Sequence, residues 1–207
     1  MPEFMSYVGN HPGVSFIDVP LGAATDRIAG LVAELGGTAA AQVVGVVKRG
    51  PAGVRTLNAL FHERLGNVAT FGGFAAGEPV MWTRNDRDLD LRNGSLGRVT
   101  AIDGALSITW DDGRSMELGA DMLRHLEHAY AVTCHKAQGS QSRRIVVPVF
   151  ASRLLDRSLL YTAITRAQEQ VVLVGDRRAM AEAIRLPPAA ARRQTMMSEM
   201  LVSAFSS

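Results

Sequence analysis

Two short apolar runs late in the chain, Ile145–Phe150 (IVVPVF) and Gln170–Asp176 (QVVLVGD), constrain the fold more than any other feature. Each is nearly continuous in β-branched or apolar residues, so each suits a strand buried on both faces, and such strands belong to parallel sheets covered by helices. DRSLLYTAITRAQ lies between them and RRAMAEAI follows, and both read as helices. A third run, AQVVGVV (41–47), leads through the turn KRGPAG into a stripe of Val54, Leu57, Leu60, Phe61 and Leu65. Strand, Gly-rich turn and helix in this order predict an α/β domain with a parallel sheet flanked by helices. Ile28, Leu31, Val32 and Leu35 add an amphipathic helix over 26–35, stopped by Gly36-Gly37 as a C-cap.

Between about Phe74 and Leu123 the texture changes to short alternating runs, EPVMWT, GRVTAI, ALSITW and SMEL, parted by NG, DG and DDG turn signals. This predicts a small antiparallel β-barrel inserted into the α/β domain. The expected division is an irregular segment over 1–25, the α/β domain over 26–73 and 124–186, the barrel over 74–123, and a tail over 187–207. Pro187-Pro188 ends the last helix, and the Met-rich tail beyond is either a docking helix or irregular.

At 207 residues and 47% hydrophobic, the chain is long enough for a core and one small satellite. Its one cysteine, Cys134, excludes an internal disulfide framework, and no zinc-ligand spacing is present, so no metal ligands are expected. No apolar run approaches the roughly 20 residues that span a bilayer, and the opening lacks the layout of a signal peptide. A reducing, cytoplasmic setting and no membrane partner are expected. The net charge of +2 selects no partner.

Two segments carry chemistry. AYAVTCHKAQGSQ (129–141) places a hydroxyl, an imidazole, an ammonium and Gly-flanked amides between apolar runs, a set suited to phosphate oxygens or a ribose edge. The plainer alternative is a helix N-terminus capped by Thr133, with His135 and Lys136 solvated. In LLYTAITRAQEQVVLVGD (159–176), Arg166 ends a helix just before a buried strand, at the sheet's carboxyl-end crevice or its rim, from which a guanidinium can reach a γ-phosphate across a cleft. Its plainer role is a cation complementing the helix dipole.

Taken together, 129–141 resembles motif V and 159–176 motif VI of superfamily 1 helicases in the RecD-like branch of the UvrD group. QVVGVVKRGPAGVRTLN resembles the motif IV region of that branch, and GEPVMWTRNDRDLDLRNGSLGRV the start of its inserted barrel. The resemblance covers roughly Gln42 to Asp176. It implies a second RecA-like domain in which Arg166 is catalytic, meeting the γ-phosphate. Gly139, Ser140 and Gln141 would then line ATP, and Thr133, His135 and Lys136 would lie on a single-stranded DNA track. Gln141 stands where many relatives carry Glu, although its carbonyl can still accept from a ribose hydroxyl. Cys134 replaces a β-branched residue and reads as a small buried hydrophobe.

Lys48 and Arg49, on the turn after the first buried strand, can meet phosphate or simply be solvated. Asn58 matches an Asn common in the family, although polar residues in mid-helix more often face solvent. Arg84 and Asn85 fall on a loop of the barrel, where Arg84, Arg87, Arg92 and Arg98 can form a basic rim for single-stranded DNA. Asn93-Gly94 is chiefly a turn device. Trp82 and Trp110 either stack on bases or fill the core.

A motor of this type also needs GxxxxGK followed by Ser or Thr, and acidic residues to hold Mg2+. The 207 residues contain no such loop; AELGGTAA and TFGGFAAG lack the lysine. ATP and Mg2+ are therefore expected to be held by a first RecA-like domain, in cis or in trans, and the chain alone is expected to turn over little ATP. A fragment, a truncated frame and one part of a split enzyme all fit this expectation. The resemblance implies a parent ATP-dependent DNA helicase of 5′–3′ polarity, whether a repair helicase, an exonuclease-complex subunit or the helicase part of a conjugative relaxase; the alternative is a non-catalytic single-strand-binding adaptor or remnant.

Overall fold

Residues 5–137 and 140–186 are described by the computed structural model. In chain order the elements are β1 (Met5–Ser6), β2 (Gly13–Asp18), α1 (Ala24–Glu34), β3 (Ala41–Gly45), α2 (Val54–Glu63), β4 (Thr70–Phe71), β5 (Phe74–Ala75), β6 (Pro79–Trp82), β7 (Leu96–Ile102), β8 (Leu106–Trp110), β9 (Ser115–Leu118), β10 (Leu126–His128), β11 (Ala131–Thr133), β12 (Ser142–Val149), α3 (Arg157–Ile164), β13 (Ala167–Gly175) and α4 (Arg177–Arg185).

The continuous β-branched runs become the centre of a six-stranded sheet in the order β1-β2-β13-β12-β3-β11, with every pairing parallel. Because side chains alternate across a strand, neighbouring residues of β13 serve opposite cores. Val171 and Leu173 pack with Leu160 and Ala163 of α3 and Met180 and Ala183 of α4. Val172 and Val174 pack with Ile28 and Leu31 of α1 and Leu57 and Phe61 of α2. The starts of α3 and α4 are capped by aspartates, whereas α1 and α2 have no side-chain cap. Asp156 accepts from the Leu159 N–H at 2.9 Å, and Asp176 from the Arg178 N–H at 2.7 Å.

Gly175 closes β13 with φ 153°, and a Cβ built there would lie 2.0 Å from the Val149 carbonyl oxygen. No backbone neighbour can yield that much, so Gly175→Ala is expected to cost about 2 kcal/mol or more. Thermal unfolding would read this loss; an unchanged midpoint would mean the β12–β13 contact is looser than drawn.

The antiparallel runs form a separate five-stranded sheet in the order β10-β6-β7-β8-β9. It wraps a core of Val80, Trp82, Val99, Ile108, Trp110 and Leu118. Its outer strands β9 and β10 are not paired with each other, so the expected barrel is an open sheet in its hydrogen bonding. The sheet also takes β10 from beyond the expected limit at residue 123.

Two expectations are corrected. The segment over 1–25 is not irregular throughout, because β2 pairs with β13 from Gly13↔Gln170 to Asp18↔Gly175 and extends the parallel sheet. The Gly and Pro residues around it obscured a six-residue strand whose pairing partner lies far along the chain. Thr133 is likewise not a helix cap: it ends edge strand β11, and turns follow it. The tail over 187–207 lies outside the described residues. Among those described, no helix is long and apolar enough to cross a membrane.

Candidate nucleic-acid interface

After β11 the chain passes through turns to the amino-terminal end of β12. Cys134 and Ala137 anchor this crossover in the core beneath α3. Cys134 is 3% exposed, its thiol donates to the Leu159 carbonyl at 3.6 Å, and burial pushes its pKa up. It is a small core residue with no redox partner among the described residues.

The polar residues of the crossover face a cleft of about 1090 Å³ between the two sheets. Its walls include His135, Lys136, Ser140 and Gln141 from the crossover, Ala41 and Gln42 from the start of β3, and Arg92, Asn93, Gly94 and Arg98 from the antiparallel sheet. Arg143 completes four cations, which face two carboxylates, Asp111 and Asp112. Burial pushes the Asp111 carboxyl up, against the pull of Arg98. The surplus of cations favours an anionic ligand, and the length and openness of a groove between two sheets suit a chain of phosphates.

Each lining cation is held differently. Lys136 is 3.5 Å from Glu127, a loose surface contact. Arg143 pairs with Glu169 at 2.7 Å. Arg98 donates to the Gly77 carbonyl and, at 2.8 Å, to the Thr38 carbonyl, bracing the antiparallel sheet against the loop before β3. Arg92 is exposed and has no ion pair among the described residues. The Asn93-Gly94 turn abuts the crossover, since a Cβ at Gly94, where φ is 104°, would lie 3.4 Å from the Lys136 carbonyl oxygen.

The remaining sequence candidates divide. Thr133 is buried at the end of β11, with its carbonyl accepting from the Lys136 and Ala137 N–H groups at 2.9 Å, so it shapes the crossover. Gly139 lies outside the described residues. Lys48 and Arg49 are exposed past the carboxyl end of β3, the opposite end of that strand from Ala41 and Gln42, and do not line the cleft. Arg84 and Asn85 do not line it either. Arg84 is engaged by Asp86 and His125 and lies over the Trp82 ring, and the Asn85 side-chain carbonyl accepts from the Asn93 N–H at 3.0 Å. Trp82 and Trp110 are 0% and 2% exposed and meet edge to face at 6.5 Å, so they fill the core.

Arg166 lies where α3 hands over to β13, at the sheet's amino-terminal edge and not at the carboxyl-end crevice. A helix that returns from one parallel strand to the next must end there. Its carbonyl accepts from the Ser142 N–H at 2.9 Å, which ties it to the cleft-lining start of β12. Its Nε reaches back to the Thr162 carbonyl at 3.4 Å, and no carboxylate pairs with it among the described residues.

Two further polar features were not legible from spacing. Asn58 turns inward from α2: its amide donates to the His128 and Ala131 carbonyls at 2.8 and 3.0 Å and accepts from the Ala131 N–H at 2.7 Å. Beside it Glu78, 1% exposed, accepts from His62, His128, Tyr130 and the Ala75 N–H. Burial pushes this carboxyl up, but the hydrogen bonds outweigh it and hold the group down to about 2. Burial and the neighbouring carboxylate push the Tyr130 hydroxyl up.

Residues 128–174 match the family described as the UvrD-like helicase C-terminal domain, a stretch that contains the whole crossover and Arg166. The fold is also that of a structure titled as two Pif1 helicases coordinating DNA unwinding at forked double-stranded DNA. The TM-score is 0.52 at 19% identity, over 87% of this chain and 52% of that one. The match places a helicase C-terminal domain over 128–174, and the structural likeness shows the fold that carries it.

Within that class the chain is similar to RecD helicases. It is 37% identical to the ATP-dependent RecD2 DNA helicase of Deinococcus radiodurans over 156 residues, 72% of this chain and 22% of that protein. It is 40% identical to the RecBCD enzyme subunit RecD of Mycolicibacterium smegmatis over 134 residues, 62% of this chain and 24% of that protein. The chain thus matches about a fifth to a quarter of the length of these relatives.

Proposed function

We propose that this chain supplies the DNA-tracking and phosphate-sensing half of a RecD-like motor of 5′–3′ polarity, working in a cytoplasmic setting. ATP and Mg2+ are held mainly by a first RecA-like domain, in cis or in trans, and single-stranded DNA runs in the cleft between the two sheets. The observation that carries this reading is the convergence of His135, Lys136, Ser140 and Gln141 with Arg92 and Arg143 on one cleft. Arg166 is tied by its backbone to the same strand start. A change in the crossover on nucleotide binding would therefore shift groups that grip DNA and groups that meet phosphate together.

The test is single-strand affinity measured across a salt series. Each cation that neutralises a phosphate contributes about 0.7 to the slope of log affinity against log salt. Lys136→Ala and Arg92→Ala should each weaken binding and flatten the slope by about that amount, whereas Lys48→Ala, outside the cleft, should do neither. An equal effect at Lys48, or a slope near zero for the unaltered chain, would place the DNA elsewhere. A non-catalytic adaptor would bind in the same way but show no ATP turnover when a competent first half is added.

A further inference from the structure

We propose that His62, Glu78 and His128 form a binding site for one divalent transition-metal ion of the zinc type, outside the nucleotide and DNA machinery. One ligand atom from each residue can be chosen so that all three lie within 4.8 Å of one another. His62 Nδ1 is 2.7 Å from Glu78 Oε1, and His128 Nε2 is 3.1 Å from Glu78 Oε2. Zinc bonds of about 2.0 to 2.1 Å in tetrahedral array separate neighbouring ligand atoms by roughly 3.3 Å. Slight opening of the carboxylate contacts and a modest approach of the imidazoles would therefore admit an ion. The rings already lie together, with centroids 4.6 Å apart.

Three features fit a metal better than a chance cluster. Glu78 is oriented by donors other than the histidines: the Tyr130 hydroxyl at 2.7 Å on Oε1 and the Ala75 N–H at 2.7 Å on Oε2. Supporting hydrogen bonds of this kind orient ligating carboxylates. The carboxylate is buried, while the His62 and His128 side chains keep 32% and 22% of their surface exposed, which leaves an entry path and room for water as a fourth ligand. Two imidazoles and one carboxylate select zinc and its neighbours over Mg2+, which prefers oxygen ligands and retains its waters.

The ligands also come from three separate places in the chain. His62 lies in α2, ahead of the antiparallel sheet; Glu78 immediately precedes β6; and His128 ends β10, three residues before β11. An ion there would join the helix to both points at which the antiparallel sheet leaves and rejoins the α/β layer. It would fix the wall of the cleft that carries Arg92 and Arg98. The same side chains can satisfy one another through hydrogen bonds without an ion, and that arrangement is what the experiment must tell apart.

After removal of metals with a chelator, the chain is titrated with Zn2+ by calorimetry and with Co2+ by visible absorption, alongside His62→Gln and His128→Gln. Glutamine keeps an N–H for Glu78. The expected result is one-to-one binding, affinity at least about a hundredfold weaker in either variant, a higher unfolding temperature with Zn2+ in the unaltered chain only, and no effect of Mg2+. X-ray absorption of the Zn2+-loaded, unaltered chain reads the ligands without relying on a variant, and two imidazoles with a carboxylate are expected. No uptake, equal uptake in the variants, or a sulfur or single-imidazole ligand set would overturn the proposal.

Discussion

Replacing Arg166 by alanine is expected to cut DNA-stimulated ATP turnover by about a thousandfold or more, measured with a first RecA-like half present. Single-strand affinity should stay within about twofold, because an interaction made only in the transition state leaves ground-state binding alone. The reason lies in how the arginines are used. Arg143 is paired with Glu169, Arg98 is spent on two backbone carbonyls, and Arg144 is buried and donates to the Leu35 carbonyl at 3.0 Å. Arg166 keeps its charge unpaired among the described residues at the mouth of a rigid helix–strand junction. An arginine in that state can act on a partner's phosphate without first breaking an ion pair. Arg166→Lys should not restore turnover, since an ammonium lacks the planar fork. Turnover within a few-fold of the unaltered chain, or DNA affinity falling in parallel, would remove Arg166 from the catalytic role.

Asn58→Leu should be the most damaging of the conservative-volume changes in α2. The side chain serves three backbone groups at once on the edge strand β11 and its approach, and leucine leaves all three without that partner. At about 1 to 3 kcal/mol for each buried group left unpaired, less what water recovers, a loss of about 2 to 4 kcal/mol follows. For a chain of this size that lowers the unfolding midpoint by roughly 5 to 15 °C. Because β11 leads directly into the crossover, single-strand binding should weaken as well. A midpoint within about 2 °C of the unaltered chain would mean that water replaces the amide.

Much of the architecture was legible in the sequence, for local reasons. The β-branched runs at β3, β12 and β13 suit burial on two faces and the alternating runs at β7 to β9 burial on one, so two kinds of sheet follow from the pattern of side chains. β6 departs from this, since Met81 packs into the α/β core while Val80 and Trp82 pack into the other. β2 was missed because its flanking Gly and Pro residues read as loop, while its pairing partner β13 lies more than 150 residues away. β10 was missed because three residues are too few to show a period.

The candidate site divides along the same line. HKAQGS and YTAITRA marked the crossover and Arg166 through the family resemblance they carry, and the Arg166 carbonyl accepts from the Ser142 N–H, two residues beyond the first of these runs. Lys48 and Arg49 were grouped with them by charge, yet they lie past the other end of β3, because a strand separates its two ends by its length whatever their composition. Arg84 and Asn85 look available in sequence but are engaged by neighbours in the folded loop.

The sequence by itself determined the two layers and most of the order of the elements, and it singled out the two segments proposed to meet phosphate, since these rest on periodicity and on residues close together in the chain. Only the tertiary structure decided which cations share a cleft, that Asn58 faces inward, and that His62, Glu78 and His128 meet. Those contacts join residues 16 to 73 positions apart, and such a distance is closed by packing and topology, which leave no mark in local spacing.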